Sequence, residues 1–374
     1  MRMLWSSDHH TLHNNTPTAH ILGNLDTFLF KDHDMAKVDI VLFGGDFFER
    51  MVERPNPDMY RVEEWASSSF SKIKKCKAVP PLVIFLAGTE SHDMGQPGHF
   101  KFIAPEGLDF RYIDKLCIET YPQFDGLSIM YVPDNMGNKT PDEVWELALQ
   151  VLSESGLEKV DLIAFHGAFD FQLVSQARHK AHLLERWETI VKYAIFAGHI
   201  HTPVQKGKLY TSGSFDRDKH GEEHPKGGYC VDLDLKTGKF NPVFWENKNA
   251  LPYLTMAVSP DIAPEQLVVD IHAFIKKRKM PANSHLRVQG GKADIVNPVI
   301  SVLSHDYPHI RFKADNALNK EIEVDDELFD SKVYEGITIS RQNIEGSLLS
   351  EIDDKLKKHN ISEAEALEVL REFL

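Results

Sequence analysis

The chain is poor in cysteine, lacks any long apolar run and carries no surplus of positive charge. Three cysteines in 374 residues, Cys76, Cys117 and Cys230, are too few and too scattered for a disulfide framework or a zinc knuckle. They point to a reducing, cytoplasmic compartment. No uncharged apolar run approaches the roughly 18 residues of a membrane span. Met1–Leu4 runs straight into Trp5-Ser6-Ser7-Asp8, without the apolar stretch of a signal peptide. The 42 Lys and Arg face 56 Asp and Glu, a net charge of −14. Bulk acidity argues against nucleic-acid binding, because DNA is a polyanion usually met by basic surfaces. The excess is uneven, however. Residues 313–374 hold 16 acidic and 8 basic side chains, more than half of the net charge. That tail is a solvated acidic surface or a partner-binding arm, and bulk charge therefore does not exclude a DNA substrate. Repeats and low-complexity segments are also missing.

What is present is a soluble, globular composition, 42% hydrophobic and 26% charged, long enough for two or three domains. The first 250 residues repeat one theme, a short apolar run followed by residues that bind metals. Met1–Ser7 leads to Asp8-His9-His10, Val38–Phe43 to Gly44-Gly45-Asp46, and Leu82–Ala87 to Gly88-Thr89-Glu90-Ser91-His92-Asp93. Leu162–Phe165 leads to His166, and Tyr193–Ala197 to Gly198-His199-Ile200-His201. Such short runs of Val, Ile, Leu and Phe read as buried strands. A helix is predicted from Thr140-Pro141-Asp142-Glu143, a capping box with proline at the first helical position, as far as Gly156. Strands at Tyr229–Leu235 and Phe240–Trp245 follow. The order predicts a layered α/β domain with two packed sheets. After residue 250 a strand (Tyr253–Val258), a helix (Pro264–Lys279) and a strand (His285–Val288) predict a second, small α/β domain. Two helical patterns close the chain, the last with a capping box at Ser362 and Glu365 and apolar residues at Leu367 and Leu370.

Each cluster alone is weak. An Asp-x-His pair is a common surface accident, an Asp after glycines usually caps a turn, and a strand-end His is usually a hydrogen-bonded core residue. The conjunction is another matter. Asp8 and His10, read as alternate residues of an extended segment, share a face, and so do His199 and His201. Parallel strands with helical crossovers bring their ends to one edge. The set predicts a metal site of mixed carboxylate and imidazole ligands, suited to Mn²⁺, Fe²⁺ or Zn²⁺. Two ions sharing one carboxylate, for which Asp46 is the natural candidate, suit phosphoester hydrolysis. His92, outside the ligand set, suits a role at the leaving oxygen.

In this order of motifs, residues 1–250 resemble the calcineurin-like metallophosphoesterases, whose signature runs Asp-x-His, Gly-Asp, Gly-Asn-His, His, Gly-His-x-His. Within them the chain is most similar to the SbcD-type DNA-repair nucleases. The pointers are Ser212-Gly213-Ser214-Phe215-Asp216-Arg217, Gly221-Glu222-Glu223 and Lys226-Gly227-Gly228-Tyr229. The resemblance implies a four-layer sandwich of two mixed sheets flanked by helices over residues 1–250. It also implies a DNA-capping domain at 251–335, recognised by Leu286-Arg287-Val288-Gln289-Gly290-Gly291, and a helical partner-binding segment at 336–374. One divalent ion, most often Mn²⁺, would be held by Asp8, His10, Asp46 and His201. A second would be held by Asp46, His166, His199 and one residue of the third motif, with His92 as catalytic histidine. The implied activity is a two-metal duplex exonuclease and single-strand endonuclease. It would work as a homodimer with a coiled-coil SbcC-like ATPase, in a heterotetramer. Here the third motif departs from the family. The Asn ligand is missing, and Ser91, Glu90 or Thr89 must take its place. Arg217 is a candidate phosphate contact or an ion-pair partner. His9, His13, His220 and His224 read as supporting or surface residues. Lys276–Lys279 reads as a DNA-backbone contact or as a basic helix end. Two other functions fit the same motifs: a phosphodiesterase for small or cyclic-nucleotide esters, and a weakly catalytic architectural subunit of a recombination complex.

Overall fold

The computed structural model describes residues 1–315, apart from 53–54, 135 and 138. Residues 1–168 and 182–315 lie in one compact unit, and 169–181 belong to another, where they form 3₁₀ turns at Asp170–Gln172 and Ser175–Lys180. The last part of the capping segment and the helical patterns of 336–374 lie outside the described residues.

The fold is α/β, with two mixed six-stranded sheets and helices. The first sheet takes β1 (Arg2–Ser6), β2 (Ile40–Phe43), β3 (Leu82–Leu86) and β4 (Phe110–Ile113) as parallel neighbours. The second begins with β5 (Cys117–Tyr121), antiparallel to β6 (Leu127–Val132). Next come β7 (Val160–His166) and β8 (Val191–Gly198), parallel to β6, then the short β9 (Val204–Lys206) and β10 (Leu209–Thr211). The antiparallel strands β11 (Gly227–Asp234) and β12 (Lys239–Glu246) return to the first sheet beside β1.

Alternation along the strands explains why the sheets stack. Met3, Trp5, Ile40, Leu42, Ile84 and Val231 pack with Ile129, Leu162, Ala164 and Phe196 of the other sheet in one core. Their neighbours Leu4, Val41, Phe43, Val83 and Phe85 point the other way, into a core shared with helices α1 (Thr18–Asp26) and α2 (Pro57–Lys75). Period-two burial on both faces makes these runs apolar throughout, as in any sheet covered on both sides. Sequence reading did not single out α2, although Asn56 caps it, Pro57 opens it and Val62, Trp65, Ala66, Ser69, Phe70 and Ile73 recur at helical spacing. Its serines and lysines mask the stripe. Helix α3 (Glu90–Asp93) is a single turn; α4 (Pro141–Glu154) starts on the Thr140–Glu143 capping box, with Gly156 at φ +69 beyond its end. Helix α5 (Leu184–Thr189) sets Trp187 against Phe165, ring centroids 5.0 Å apart.

Beyond residue 250, β13 (Tyr253–Val258), β14 (His285–Gly290) and β15 (Arg311–Asp315) form a three-stranded parallel sheet. Helices α6 (Pro264–Arg278) and α7 (Ala293–Asp306) connect them, and Leu267, Ile271, Leu286, Val288, Val296 and Leu303 make its core. The basic run Lys276–Arg278 fills the last turn of α6, where cations favour the helix dipole, and Lys279 closes it in a left-handed turn. No helix among the described residues is long and apolar enough to cross a membrane.

Candidate metal centre

Parallel pairing aligns Ser6, Phe43 and Phe85 at the end of one sheet, and Val132, Phe165 and Ala197 at the end of the other. The segments that follow therefore meet at one edge. Backbone bonds zip the first two together: Asp8 N–H donates to Gly45 O (3.0 Å), and His9 and His10 N–H both donate to Asp46 O (2.9 and 3.1 Å). Asp8, His10, Asp46 and His199 all have positive φ (52°, 47°, 49° and 88°). Left-handed backbone is costly for residues with a Cβ and concentrates at functional sites. So Asp8 and His10 converge because the chain curls past the strand end, rather than by the extended alternation that the sequence suggested. Gly45 is bound to be glycine: its φ is +98°, and a Cβ there would run into the His166 ring.

Four groups of possible ligands form among the described residues; His10–Glu49–His92 and His201–Asp218–Glu222 flank the two that hold the expected ligands. In the first of those two, Asp8, His10 and His201 converge, with His10 Nε2 and His201 Nε2 3.0 Å apart and His201 Nε2 4.0 Å from Asp8 Oδ1. In the second, Asp46, His166 and His199 converge, with His166 Nε2 3.0 Å from Asp46 Oδ2. Asp8 also ties the groups together, since its Oδ1 accepts the His199 N–H at 2.8 Å. Asp8, Asp46 and His166 are buried. Their electrostatics favour cations. Burial alone would discharge His166, yet the Asp46 carboxylate pushes its pKa up to about 10. His10 is raised well above the ordinary range, because Glu49 and Asp218 outweigh the same burial penalty.

Sequence reading gave no role to the residues behind the histidines: it passed over Glu49 and took Glu222 only as part of the motif Gly221-Glu222-Glu223. Glu49 Oε2 lies 2.7 Å from His10 Nδ1, and Glu222 Oε1 lies 2.6 Å from His201 Nδ1. Glu222 hydrogen-bonds the far nitrogen of His201 and Glu49 pairs by charge with that of His10, so each Nε2 is left for an ion; such partners orient the ring and raise ligand basicity. Buried Lys226 steadies Glu222 with a 2.8 Å bond to Oε2 and also donates to Ser214 Oγ and His201 O. Neither oxygen of buried Asp218 has a hydrogen-bond partner among the described residues, and Oδ2 lies 3.8 Å from His201 Nδ1. The sequence hints were a charge at Glu49 beside Phe47 and Phe48 and the motif Gly221-Glu222-Glu223, in which nothing separates buried Glu222 from exposed Glu223. For a divalent ion between His10 and His201, Glu49→Gln and Glu222→Gln are each expected to weaken binding by about 10–100-fold. Calorimetric titration with Mn²⁺ checks this; unchanged affinity would remove both residues from the site.

His92 Nδ1 donates to Glu49 O at 2.7 Å, and its ring centroid is 5.0 Å from that of His10. With Nδ1 engaged, Nε2 is the nitrogen that can meet a ligand. Asp93 braces this turn by accepting from the N–H of Gly88 (2.9 Å) and of Phe48 (3.0 Å). Of the third-motif candidates, Glu90 and Ser91 are exposed. Thr89 is the buried one: its N–H donates to Asp46 Oδ1 (2.6 Å), and its Oγ1 lies 3.2 Å from Asp46 Oδ2 and 3.4 Å from His199 Nδ1. Arg217 does not reach outward. Its guanidinium donates to the carbonyl oxygens of Glu222 (3.0 Å), Ala250 (2.9 Å), Leu251 (3.4 Å) and His224 (3.2 Å). A phosphate contact would have to break this brace. His9 bonds Ser6 Oγ (2.9 Å) among the rings of Phe43, Phe47 and Phe215, and burial pushes its pKa down to about 3.

No protein-family model matches the chain, and no curated protein is similar to it. Among solved structures, one similar crystal structure has 11% identity and a TM-score of 0.38, covering 65% of this chain and 98% of its own. So distant a likeness says nothing of function.

Proposed function

We propose that this chain is a two-metal-dependent DNA nuclease of the SbcD type, built on the four-layer metallophosphoesterase sandwich. The observation that carries the reading is the pair of ligand groups, Asp8–His10–His201 and Asp46–His166–His199, brought together from the ends of two sheets with His92 alongside. The residues fit two divalent cations. The ligand atoms of each group lie within 4.8 Å of one another, and Asp8 Oδ2 is buried with no hydrogen-bond partner among the described residues. Asp46 is the shared carboxylate: His166 contacts it directly, and the charges of His92 and His10 also hold its pKa far down. Such ions, Mn²⁺ by preference, would supply Lewis-acid activation of a phosphodiester and of water. The chain's own residues do the rest. Glu49 and Glu222 fix the ligand imidazoles, and Asp93 holds the third-motif turn. His92, anchored through Nδ1, presents Nε2 to take up or give a proton at the leaving oxygen.

The small domain from residue 251 would hold duplex DNA over the site, and an SbcC-like coiled-coil ATPase would supply much of the grip that an acidic chain lacks. A homodimer inside a heterotetramer completes the proposed assembly. The test is Mn²⁺-dependent nucleotide release from linear duplex DNA, with the ATPase added. His92→Ala should cut the rate by at least about 100-fold while leaving Mn²⁺ binding intact. No hydrolysis in any divalent metal would sink the enzyme reading. Removal of residues 251–374 distinguishes a small-ester phosphodiesterase, which would keep its activity on bis(p-nitrophenyl) phosphate and on cyclic nucleotides, and would never have degraded duplex.

A further inference from the structure

We infer that the two ion positions are unequal: the position of Asp8, His10 and His201 fills first and tightly, and the position of Asp46, His166 and His199, with Thr89 as its remaining donor, fills weakly and is completed by phosphate. This rests on the two-metal reading above and adds an order of loading to it.

The contrast lies in what backs each ligand. Both imidazoles of the first group lean on carboxylates, half-buried Glu49 at 2.7 Å and buried Glu222 at 2.6 Å, and Asp218 adds a second buried carboxylate beside His201. Carboxylate-backed imidazoles are the more basic ligands, and losing such a partner commonly costs 10–100-fold in metal affinity. The second group has neutral backing. His166 Nδ1 sits 2.7 Å from the carbonyl of Gly44, and His199 Nδ1 lies 3.4 Å from the Thr89 hydroxyl. Its one carboxylate among the grouped ligands, Asp46, must serve both ions, and Oδ1 already accepts the Thr89 N–H at 2.6 Å. Asp134 acts on His166 and His199 only through its charge, from outside the ligand group.

Thr89 supplies the remaining donor because the other buried side chain of the third motif, Asp93, is spent on the N–H groups of Gly88 and Phe48. Glu90 and Ser91 face solvent, and the α3 turn carries His92 towards Glu49. A neutral hydroxyl is a poor ligand for a hard divalent ion compared with an amide or carboxylate oxygen. The second position is therefore short of negative charge, and a phosphate group brings it.

The test uses the full chain, stripped with chelator and titrated with Mn²⁺, with free ion followed by electron paramagnetic resonance. Two binding phases are expected, the second at least about tenfold weaker. Inorganic phosphate should tighten the second phase and leave the first alone. Thr89→Asn, which offers an amide oxygen, should strengthen the second phase by about tenfold, and Thr89→Val should weaken it further. Two phases of equal affinity, or a Thr89 effect confined to the first phase, would overturn the inequality while the two-metal reading stands. No bound Mn²⁺ at all would overturn that reading as well.

Discussion

Asp46→Asn should leave the protein folded, abolish the weaker of the two Mn²⁺-binding phases and weaken the tighter one, and lower phosphodiester hydrolysis by roughly a thousandfold. The size follows from the position. Asp46 touches His166 at 3.0 Å, takes the Thr89 N–H at 2.6 Å, and is the carboxylate of the second ligand group, which the proposed centre shares between both ions. Two-metal clamps supply several kcal/mol of charge stabilisation, and about 1.4 kcal/mol corresponds to each tenfold in rate. Asparagine keeps the shape and the oxygen that meets Thr89, but it removes the charge from both positions. A second readout needs no metal and no substrate. Burial alone lowers the His166 pKa, and the Asp46 carboxylate is the main influence against that burial, which leaves it raised to about 10. With asparagine in place, the ring should lose most of that lift, visible by NMR titration in the presence of EDTA. A His166 that still titrates near 10 would show that Asp46 is not the group controlling the site.

The convergence of the proposed ligands was legible, and the contacts that support them were not. Asp8, His10, Asp46, His92, His166, His199 and His201 all follow apolar runs that do become strands, and neighbouring parallel strands leave a sheet at a common edge. A local pattern thus reported a long-range convergence. The reason assigned to it was incomplete, because the ligand loops use left-handed backbone at Asp8, His10, Asp46 and His199, which no period-two pattern contains. Glu222 was noted in the motif Gly221-Glu222-Glu223, but its role escaped for a different reason. It sits 21 residues from His201 in a polar loop, and only the return of the chain through Ser214 and Lys226 turns it inward while Glu223 faces solvent. Thr89 was one of three readings of the third motif. Its selection depends on the turn at Glu90–Asp93, whose first two side chains are exposed. Arg217 shows the limit of residue-type reasoning: a guanidinium suits phosphate, but here four backbone carbonyls take its donors.

Lys226→Met is expected to destabilise the protein by about 3–5 kcal/mol, the usual cost of stranding one member of a buried ion pair. Lys226 is wholly buried, and its three acceptors are Glu222 Oε2 (2.8 Å), Ser214 Oγ (2.6 Å) and His201 O (3.0 Å). Burial pulls its pKa down, and the Glu222 carboxylate pulls the other way. Methionine preserves the apolar stem and removes only the ammonium, so packing changes little and the loss is electrostatic. Glu222 would then be held by His201 at Oε1 and, at Oε2, only by the long 3.3 Å bonds from Ser214 Oγ and the Asp218 N–H, beside the unpartnered carboxylate of Asp218. A double-mutant cycle isolates the pair. Adding Glu222→Gln to Lys226→Met removes the stranded charge and should recover about 1–3 kcal/mol. Denaturant unfolding of the four proteins in EDTA gives the comparison without a contribution from bound ions. Strict additivity, or a Lys226→Met protein within about 1 kcal/mol of wild type, would mean that the ammonium is not what holds Glu222 against His201. The same stranded charge has a second consequence, since Glu222 no longer locked by Lys226 can turn away from His201 Nδ1. The histidine would then lose its tautomer, and the first ion its best-backed ligand. Lys226→Met should therefore weaken Mn²⁺ binding as well as folding, although no atom of Lys226 belongs to either ligand group.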